Sequence, residues 1–440
     1  MQRYFDLLRQ LWPLHRTLVS DDTDQAIELI YSYLRNALHV PGENILVHEF
    51  PSGSELSTWI VPLKYTLKHY TLKQLGASER VLIDPSAISL SIAEYSQPVD
   101  RVMKWEELRD HLFYSERRPD AIPFVFKFFY RNDFGFCLPK NIYDTIDHQQ
   151  EFYAHIESEF SQGTLKCLEV VLPGKTDDSL LVMSNICHPH QVNDSITGAI
   201  NALMLIEHFM KNPTYYTLRF GFWPETIGAM AYFTHYRNQI NIFKYAVFTE
   251  MLGTQGKYAL QFSRQENTLI DRATEYTLNM RGYEYYSGRY TTVLRNDERI
   301  SNGVNLNIPT ISLSRYPYPE YHTSDDNPSI IDMNNIRESW EITRDILTIL
   351  DENVTLIPGD FYGQPFLTRY GLFHDPVGAG GDPSRNYNKI MEDIFAYSDG
   401  TMTLFDIAER FNFHWNDVKF LSGGLIQHKL FSAERDRNHA

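Results

Sequence analysis

The sequence predicts an α/β fold: a mostly parallel sheet with helices on both faces, an inserted β-rich domain and a C-terminal winged helix-turn-helix. Three observations predict it. Over residues 166–355, apolar strand-like runs (SLLVMSNI, YTLRFGFWP, YAVFTEML, IPTISLS) alternate with helical stretches such as ITGAINALMLIEHFMK, the pattern of a sheet crossed by helices. Over 45–165 the texture changes to short apolar runs cut by Pro and Gly, as in HEFPSGSELSTWIVP, which suits a β-rich domain of its own. The last fifty residues return to helical period at Ile407, Phe411, Val418, Leu421, Leu425 and Ile426. Three short elements and a Gly-Gly turn in so small a tail fit a winged helix.

In chain order, residues 1–44 read as a helical part of the α/β domain, with Phe5, Leu8, Leu11 and Trp12 at helical spacing and a second run from Ala26 to Leu34. The inserted domain takes 45–165 and the α/β domain proper 166–355. Residues 356–440 hold a linker, from VTLIPGDFYGQP to PVGAGGDPSRNYN, followed by the winged helix. A chain of 440 residues suits about three domains at roughly 150 residues each.

Composition narrows the function classes. Hydrophobic residues at 43% and charged residues at 22% are globular usage, which excludes a disordered chain. The 28 Tyr and 27 Phe can wall large pockets. A formal charge of −16 repels phosphate backbones, so nucleic-acid binding would need a local basic patch. The tail supplies none: residues 390–440 hold five bases against eight acids, the wrong sign for gripping DNA. Three cysteines (Cys137, Cys167 and Cys187) form no closed disulfide framework and read as reduced thiols in a cytoplasmic protein. MQRYFDLLRQLWPLHRTLVSDDTD lacks a signal-peptide core, and no run of eighteen apolar residues predicts a membrane span.

The chemistry collects at strand ends, where open α/β sheets bind their ligands. LLVMSNI runs into Cys187 and His188, with Asp194 just beyond; YTLRFGFWP runs into Glu225 and Thr226; YAVFTE ends at Glu250; IPTISLSR leads to Tyr321 and His322. His, Asp, Glu, Glu and His at one edge are the residue types of a hydrolytic zinc site, because imidazole and carboxylate hold zinc and leave a position open for water. A separate carboxylate must then move the proton. Each residue also has a plain structural reading. Asp194 suits a helix N-cap, Glu225 a first-turn acid, and either histidine a hydrogen-bonded strand-end residue. Cys187 and His188 are neighbours on an extended strand and are expected to face apart, which disfavours a thiol nucleophile. Cys137 reads as packing.

CHPHQVNDSITGA, WPETIGAMAYF, FTEMLG and EYHTSDDN resemble, in order, the landmarks of the M28-type zinc aminopeptidases. The whole chain resembles the bacterial aminopeptidase-like family with a DUF4910 peptidase domain, an inserted DUF2172 domain and a C-terminal winged helix. The stretches that carry this are PSGSELSTWIVP, RRPDAIPFVFKFFYRNDFGFCLP, RNDERISNGVNLNIPTISLSR and SDGTMTLFDIAERFNF. The resemblance implies His188, Asp194 and His322 as metal ligands, Glu250 as a further carboxylate ligand, and Glu225 as general base. It leaves His190 without a role. The family's second glutamate after the base is Thr226 here, so one zinc ion rather than two is expected.

The reading is a zinc-dependent hydrolase of aminopeptidase type acting on an amide bond of a small peptide or peptide-like substrate. Arg295, Asp297, Arg299 and Tyr321 are the candidate substrate-binding residues, since arginine grips a carboxylate with two parallel bonds. Two alternatives stay open: a metal-assisted deacylase or cyclase on a non-peptide amide, and a non-enzymatic winged-helix regulator. No membrane or DNA partner is expected, and a homo-oligomer suits the aromatic surplus.

Overall fold

A computed structural model of the chain describes residues 1–126, 130–373 and 387–435. Most of the Gly-rich linker at 376–388 therefore lies outside the described residues. The chain forms two compact units: Met1–Glu266 with Tyr285–Glu341, and Asn267–Glu284 with the described part of Ile342–Ala440.

In the first unit, α1 (Gln2–Leu11) buries Tyr4, Leu7, Leu8 and Leu11 on one face. α2 (Asp21–Asn36) starts at Ser20, whose hydroxyl accepts from the Thr23 N–H at 3.1 Å, and carries Asp21, Asp22 and Asp24 in its first turn, where the helix dipole favours acids. β1 (Ile45–Pro51) then joins the main sheet. β2 (Lys64–Gln74), β3 (Arg80–Ile83), β4 (Val99–Lys104) and β5 (Glu151–Ser161) make a separate antiparallel sheet in the order β3-β2-β5-β4. Alternate residues Phe152, Ala154 and Ile156 of β5 share its core with Leu72, Met103, Leu108 and Phe136, the period of two that gives a sheet one buried face.

The main sheet follows: β6 (Thr164–Leu172), β7 (Thr176–Asn185), α3 (Ile196–Phe209), β8 (Tyr216–Trp223), α4 (Ile227–His235), β9 (Phe243–Thr249) and β10 (Tyr258–Gln261). After α5 (Leu269–Met280), which belongs to the second unit, come β11 (Tyr285–Gly288), β12 (Thr310–Ser314) and α6 (Met333–Glu352). The eight strands run in the order β1-β6-β8-β7-β9-β12-β10-β11, and the central four, β8-β7-β9-β12, are parallel. Leu180 to Met183 of β7 are all buried, as a strand covered on both faces requires. Leu181 and Met183 pack with Ala229 and Tyr232 of α4, while Leu180 and Val182 point to the opposite face. Gly198 of α3 presses on the end of β9: a Cβ there would stand 2.0 Å from the Thr249 carbonyl oxygen. Because β8 lies on one side of β7 and β9 on the other, the strand order reverses at β7. The crevice of an open α/β sheet opens at such a reversal.

The second unit is wider than the 356–440 stretch read from the sequence. Ala273 and Tyr276 of α5 and Ile349 of α6 are buried with Ile407, Trp415 and Val418 in one core, and Arg272 pairs with Asp406 and Glu409. The unit also contains β13 (Thr355–Pro358), α7 (Tyr387–Tyr397), α8 (Leu404–Phe411), α9 (Trp415–Gln427) and β14 (Phe431–Glu434), with β13 and β14 paired as an antiparallel wing. α8 begins with a capping box, Thr403 Oγ1 accepting from Asp406 N–H at 3.1 Å and Asp406 Oδ2 from Thr403 N–H at 2.8 Å. Gly423 and Gly424 lie inside α9 instead of forming a turn. Leu421 and Leu425 on either side are buried, and their packing keeps the helix intact through the pair. No helix among the described residues is long and apolar enough to cross a membrane.

Candidate metal centre and catalytic cleft

The loops after β7, β8, β9 and β12 meet at the reversal point. His188, Asp194 and His322 bring one ligand atom each to within 4.8 Å of one another. His322 Nε2 lies 3.0 Å from Asp194 Oδ2, and His188 Nε2 lies 3.3 Å from Glu225 Oε2. Burial raises the Asp194 carboxyl, but His188 and the bond to His322 outweigh it and hold the group below the usual carboxylate range. The converse holds for His188: burial lowers it, while Cys187, Asp194 and Glu225 leave it well above an ordinary imidazole.

Tight loops position these groups. His188 sits at φ 77° and His322 at φ 55°, left-handed conformations that a side chain adopts at a cost. Arg16, fully buried, holds the first loop: its guanidinium donates to the carbonyls of Ile186, Cys187, His188 and Gln191 at 2.6–2.9 Å. Asp326, also fully buried, holds the next turn by accepting from the N–H groups of Val192, Asn193 and Asp194 at 2.7–3.1 Å and from the Tyr318 hydroxyl at 2.6 Å. Asn193 Oδ1 accepts from the Gly253 N–H at 2.8 Å, tying the β7 loop to the β9 loop. None of these three was singled out from the sequence. Asp326 is the one with a local signal, standing four residues beyond His322.

The remaining expected residues divide. Glu250 is buried and stands outside the three-residue ligand group, its carboxylate accepting from Asn296 Nδ2. Burial, with Asp194, Glu225 and Glu298 nearby, pushes it well above the usual carboxylate range. Asp297 departs from the substrate-binding expectation. It is fully buried, and its two oxygens accept from Trp223 Nε1 at 2.7 Å and the Thr226 N–H at 2.6 Å. The indole and the amide at the end of β8 need an acceptor, and Asp297 supplies it, bracing the loop that presents Glu225. Arg295 is exposed and makes no bond to the cleft residues. Arg299 does reach the cleft, donating to Thr226 Oγ1 at 2.6 Å. Tyr321 stacks on His322 with ring centroids 3.8 Å apart.

Cys187 and His188 meet rather than face apart, because the left-handed turn at His188 folds the chain back: Cys187 Sγ lies 3.3 Å from His188 Nδ1. The sulfur also accepts from the Glu225 N–H at 3.1 Å, and burial holds the thiol above its ordinary pKa. The sulfur thus sits between the His188 ring and the Glu225 backbone N–H. His190 turns away, to Ser89 Oγ at 3.0 Å and the Trp12 ring.

Residues 45–165 complete the cleft. The Phe124 N–H donates to the His322 carbonyl at 2.9 Å, and the Phe124 ring meets His188 and His322 edge-on at 5.0 and 5.2 Å. A cavity of about 90 Å³ lies against the site, lined by Trp59, Glu94, Phe124, Phe126, His188, Glu225 and Arg299 among others.

The domain-of-unknown-function model DUF4910 matches residues 5–353, and a winged helix-turn-helix model matches 357–433. A Clostridium acetobutylicum protein, named provisionally for polysaccharide biosynthesis with an aminopeptidase-like domain, is 25% identical over 428 residues, covering 97% of this chain and 95% of its own. The crystal structure of a C. acetobutylicum protein, described as a candidate peptidase, is similar with a TM-score of 0.85 at 23% identity, covering 98% of this chain and 96% of that one. The zinc aminopeptidase BSAP from Bacillus subtilis shares the fold with a TM-score of 0.61 at 12% identity, covering 79% and 94%.

Proposed function

The chain belongs to the DUF4910 family and carries a C-terminal winged helix-turn-helix, and from that membership and the cleft we propose a zinc-dependent hydrolase of aminopeptidase type, acting on an amide bond of a small peptide or peptide-like substrate. The observation that carries the proposal is the convergence of His188, Asp194 and His322 within 4.8 Å, with Glu225 beside them. Two imidazole nitrogens and a carboxylate oxygen fit a hydrolytic zinc ion, whose tetrahedral ligands at ~2.0–2.1 Å stand about 3.3 Å apart. We assign one ion, since the described residues bring together one group of three ligands, and Glu250 lies outside it.

A bound zinc ion supplies Lewis acidity toward the scissile carbonyl and the attacking water. Glu225 takes the proton from that water and hands it to the leaving amine. Cys187, holding the Glu225 N–H, and Asp297, holding the Thr226 N–H, fix the backbone that carries the base. Arg299 and Tyr321 stand where a substrate's polar end would pass, and Trp59, Phe124 and Phe126 line the cavity beside the reacting groups. The acidic tail suits protein contact or packing rather than DNA. The three cysteines, free and buried, suit a reducing cytoplasmic setting.

The test is a panel of aminoacyl p-nitroanilides and their N-acetyl counterparts, with N-acetylated amino sugars added because of the relative's provisional name. Turnover of the free-amino series, abolished by a chelator and restored by zinc, supports the proposal. Turnover confined to the N-acyl compounds replaces the aminopeptidase with a deacylase, and no turnover of any amide overturns the hydrolase.

A further inference from the structure

We propose that Glu94 is the specificity-determining residue of this cleft: its carboxylate holds the ammonium end of the substrate, so that the site selects a primary amine over an uncharged or acylated equivalent. The substrate named here rests on the hydrolase reading above; the amine preference is testable without it.

Glu94 belongs to the 45–165 stretch, remote in sequence from the strand ends, yet it lines the same cavity as His188, Glu225, Thr226 and Arg299. Its exposure is 5%. The backbone on either side is locked. The Glu94 N–H donates to the Val125 carbonyl at 2.8 Å and the Ala93 N–H to that of Gly135 at 3.0 Å. Tyr95 is buried, stacks on Tyr65 at 5.1 Å and accepts from the Val19 N–H at 3.1 Å. The backbone that carries Glu94 is therefore fixed at the cavity wall.

The surroundings call for a cation. Leu18, Trp59, Phe124, Phe126 and Ile227 make the apolar part of the cavity wall, and Cys187, His188, Glu225, Thr226 and Arg299 make the rest. Glu94 makes no ion pair among the described residues, and the one guanidinium in the cavity, Arg299, is bonded to Thr226. A buried carboxylate without an ion-pair partner is costly, and burial pushes Glu94 up to about 7 against the opposing pulls of a hydrogen bond with Thr17 and of His188. A ligand ammonium, with its three donors, supplies the missing charge and hydrogen bonds at once. The two carboxylates facing this space then divide their work, Glu225 moving the proton and Glu94 anchoring the amine. Acylation removes the charge and adds bulk at that end, which is the physical basis of the selectivity.

The experiment is calorimetric titration of the zinc-loaded full-length protein with 3-methylbutylamine and its neutral isostere 3-methylbutan-1-ol, neither of which can be hydrolysed. The wild type should bind the amine at least tenfold more tightly than the alcohol. Glu94→Gln should lose that preference with zinc content and melting temperature unchanged. Should the Gln variant not fold, Glu94→Asp, which keeps the charge, must retain the preference. Equal binding of the two probes by the wild type, or an amine preference that survives Glu94→Gln or is absent from Glu94→Asp, overturns the assignment. A failure of the hydrolase reading would appear separately, as amine binding with no turnover of the amide panel.

Discussion

His322 Nε2 stands 3.0 Å from Asp194 Oδ2 across 128 residues of chain. Neither residue rests on regular structure. Each lies in a loop past a strand end, and both His322 and its partner His188 hold left-handed backbone conformations. Such conformations persist where surrounding contacts over-determine them, and here the contacts are named: Arg16 under the His188 loop, Asp326 under the Asp194 turn, and Phe124 pairing its N–H with the His322 carbonyl.

Arg16 is expected to matter to the centre without touching it. Arg16→Met leaves the carbonyls of Ile186, Cys187, His188 and Gln191 without their donor, at a combined cost of about 3–5 kcal/mol after partial relaxation. Urea unfolding reads the lost stability, and competition with a chelator reads a weakened zinc affinity. A variant as stable as the wild type would remove Arg16 from the support of this loop.

Asp326→Asn places an amide where three backbone N–H groups need an acceptor. Outer groups that orient metal ligands are worth about 10–100-fold in affinity, and a loss of that size is expected in chelator competition.

Glu225→Gln keeps the shape of the base and removes its proton affinity. The expected result is a fall in kcat by about 10²–10⁴ with zinc per chain unchanged, read by steady-state kinetics and elemental analysis on the same preparation.

His15 and His190 flank Ser89, with His15 Nδ1 at 2.6 Å and His190 Nε2 at 3.0 Å from its hydroxyl. Burial, reinforced by neighbouring positive groups, holds His15 at about 3 and His190 at about 4. A histidine lowered on folding contributes stability that is full above its unfolded pKa of ~6.5 and is lost as pH falls toward the folded value. The stability gap between wild type and His190→Gln should therefore narrow by about 1–2 kcal/mol from pH 7 to pH 5, measured by urea unfolding at the two pH values. A constant gap would contradict a neutral, buried His190.

The strand ends were legible because periodicity marks strands and an open α/β sheet gathers ligands at their carboxyl ends. That argument reached His188, Asp194, Glu225 and His322. It did not reach Arg16, Glu94 or Phe124, whose roles depend on packing between stretches distant in sequence and leave no local pattern. Asp297 read as a substrate-binding residue, since nothing in NDER says that Trp223 and Thr226 will need its oxygens. Cys187 and His188 read as facing apart because a strand alternates. The left-handed turn at His188, whose carbonyl Arg16 holds, brings the two together only in the folded chain.

We assign His188, Asp194 and His322 to one metal site. Elemental analysis of zinc per chain tests it most directly, on the wild type and on His188→Ala and His322→Ala proteins dialysed against the same trace of zinc. One zinc per wild-type chain and almost none in either folded variant are expected. One ion retained by both variants, or none in the wild type under zinc excess, would contradict the assignment.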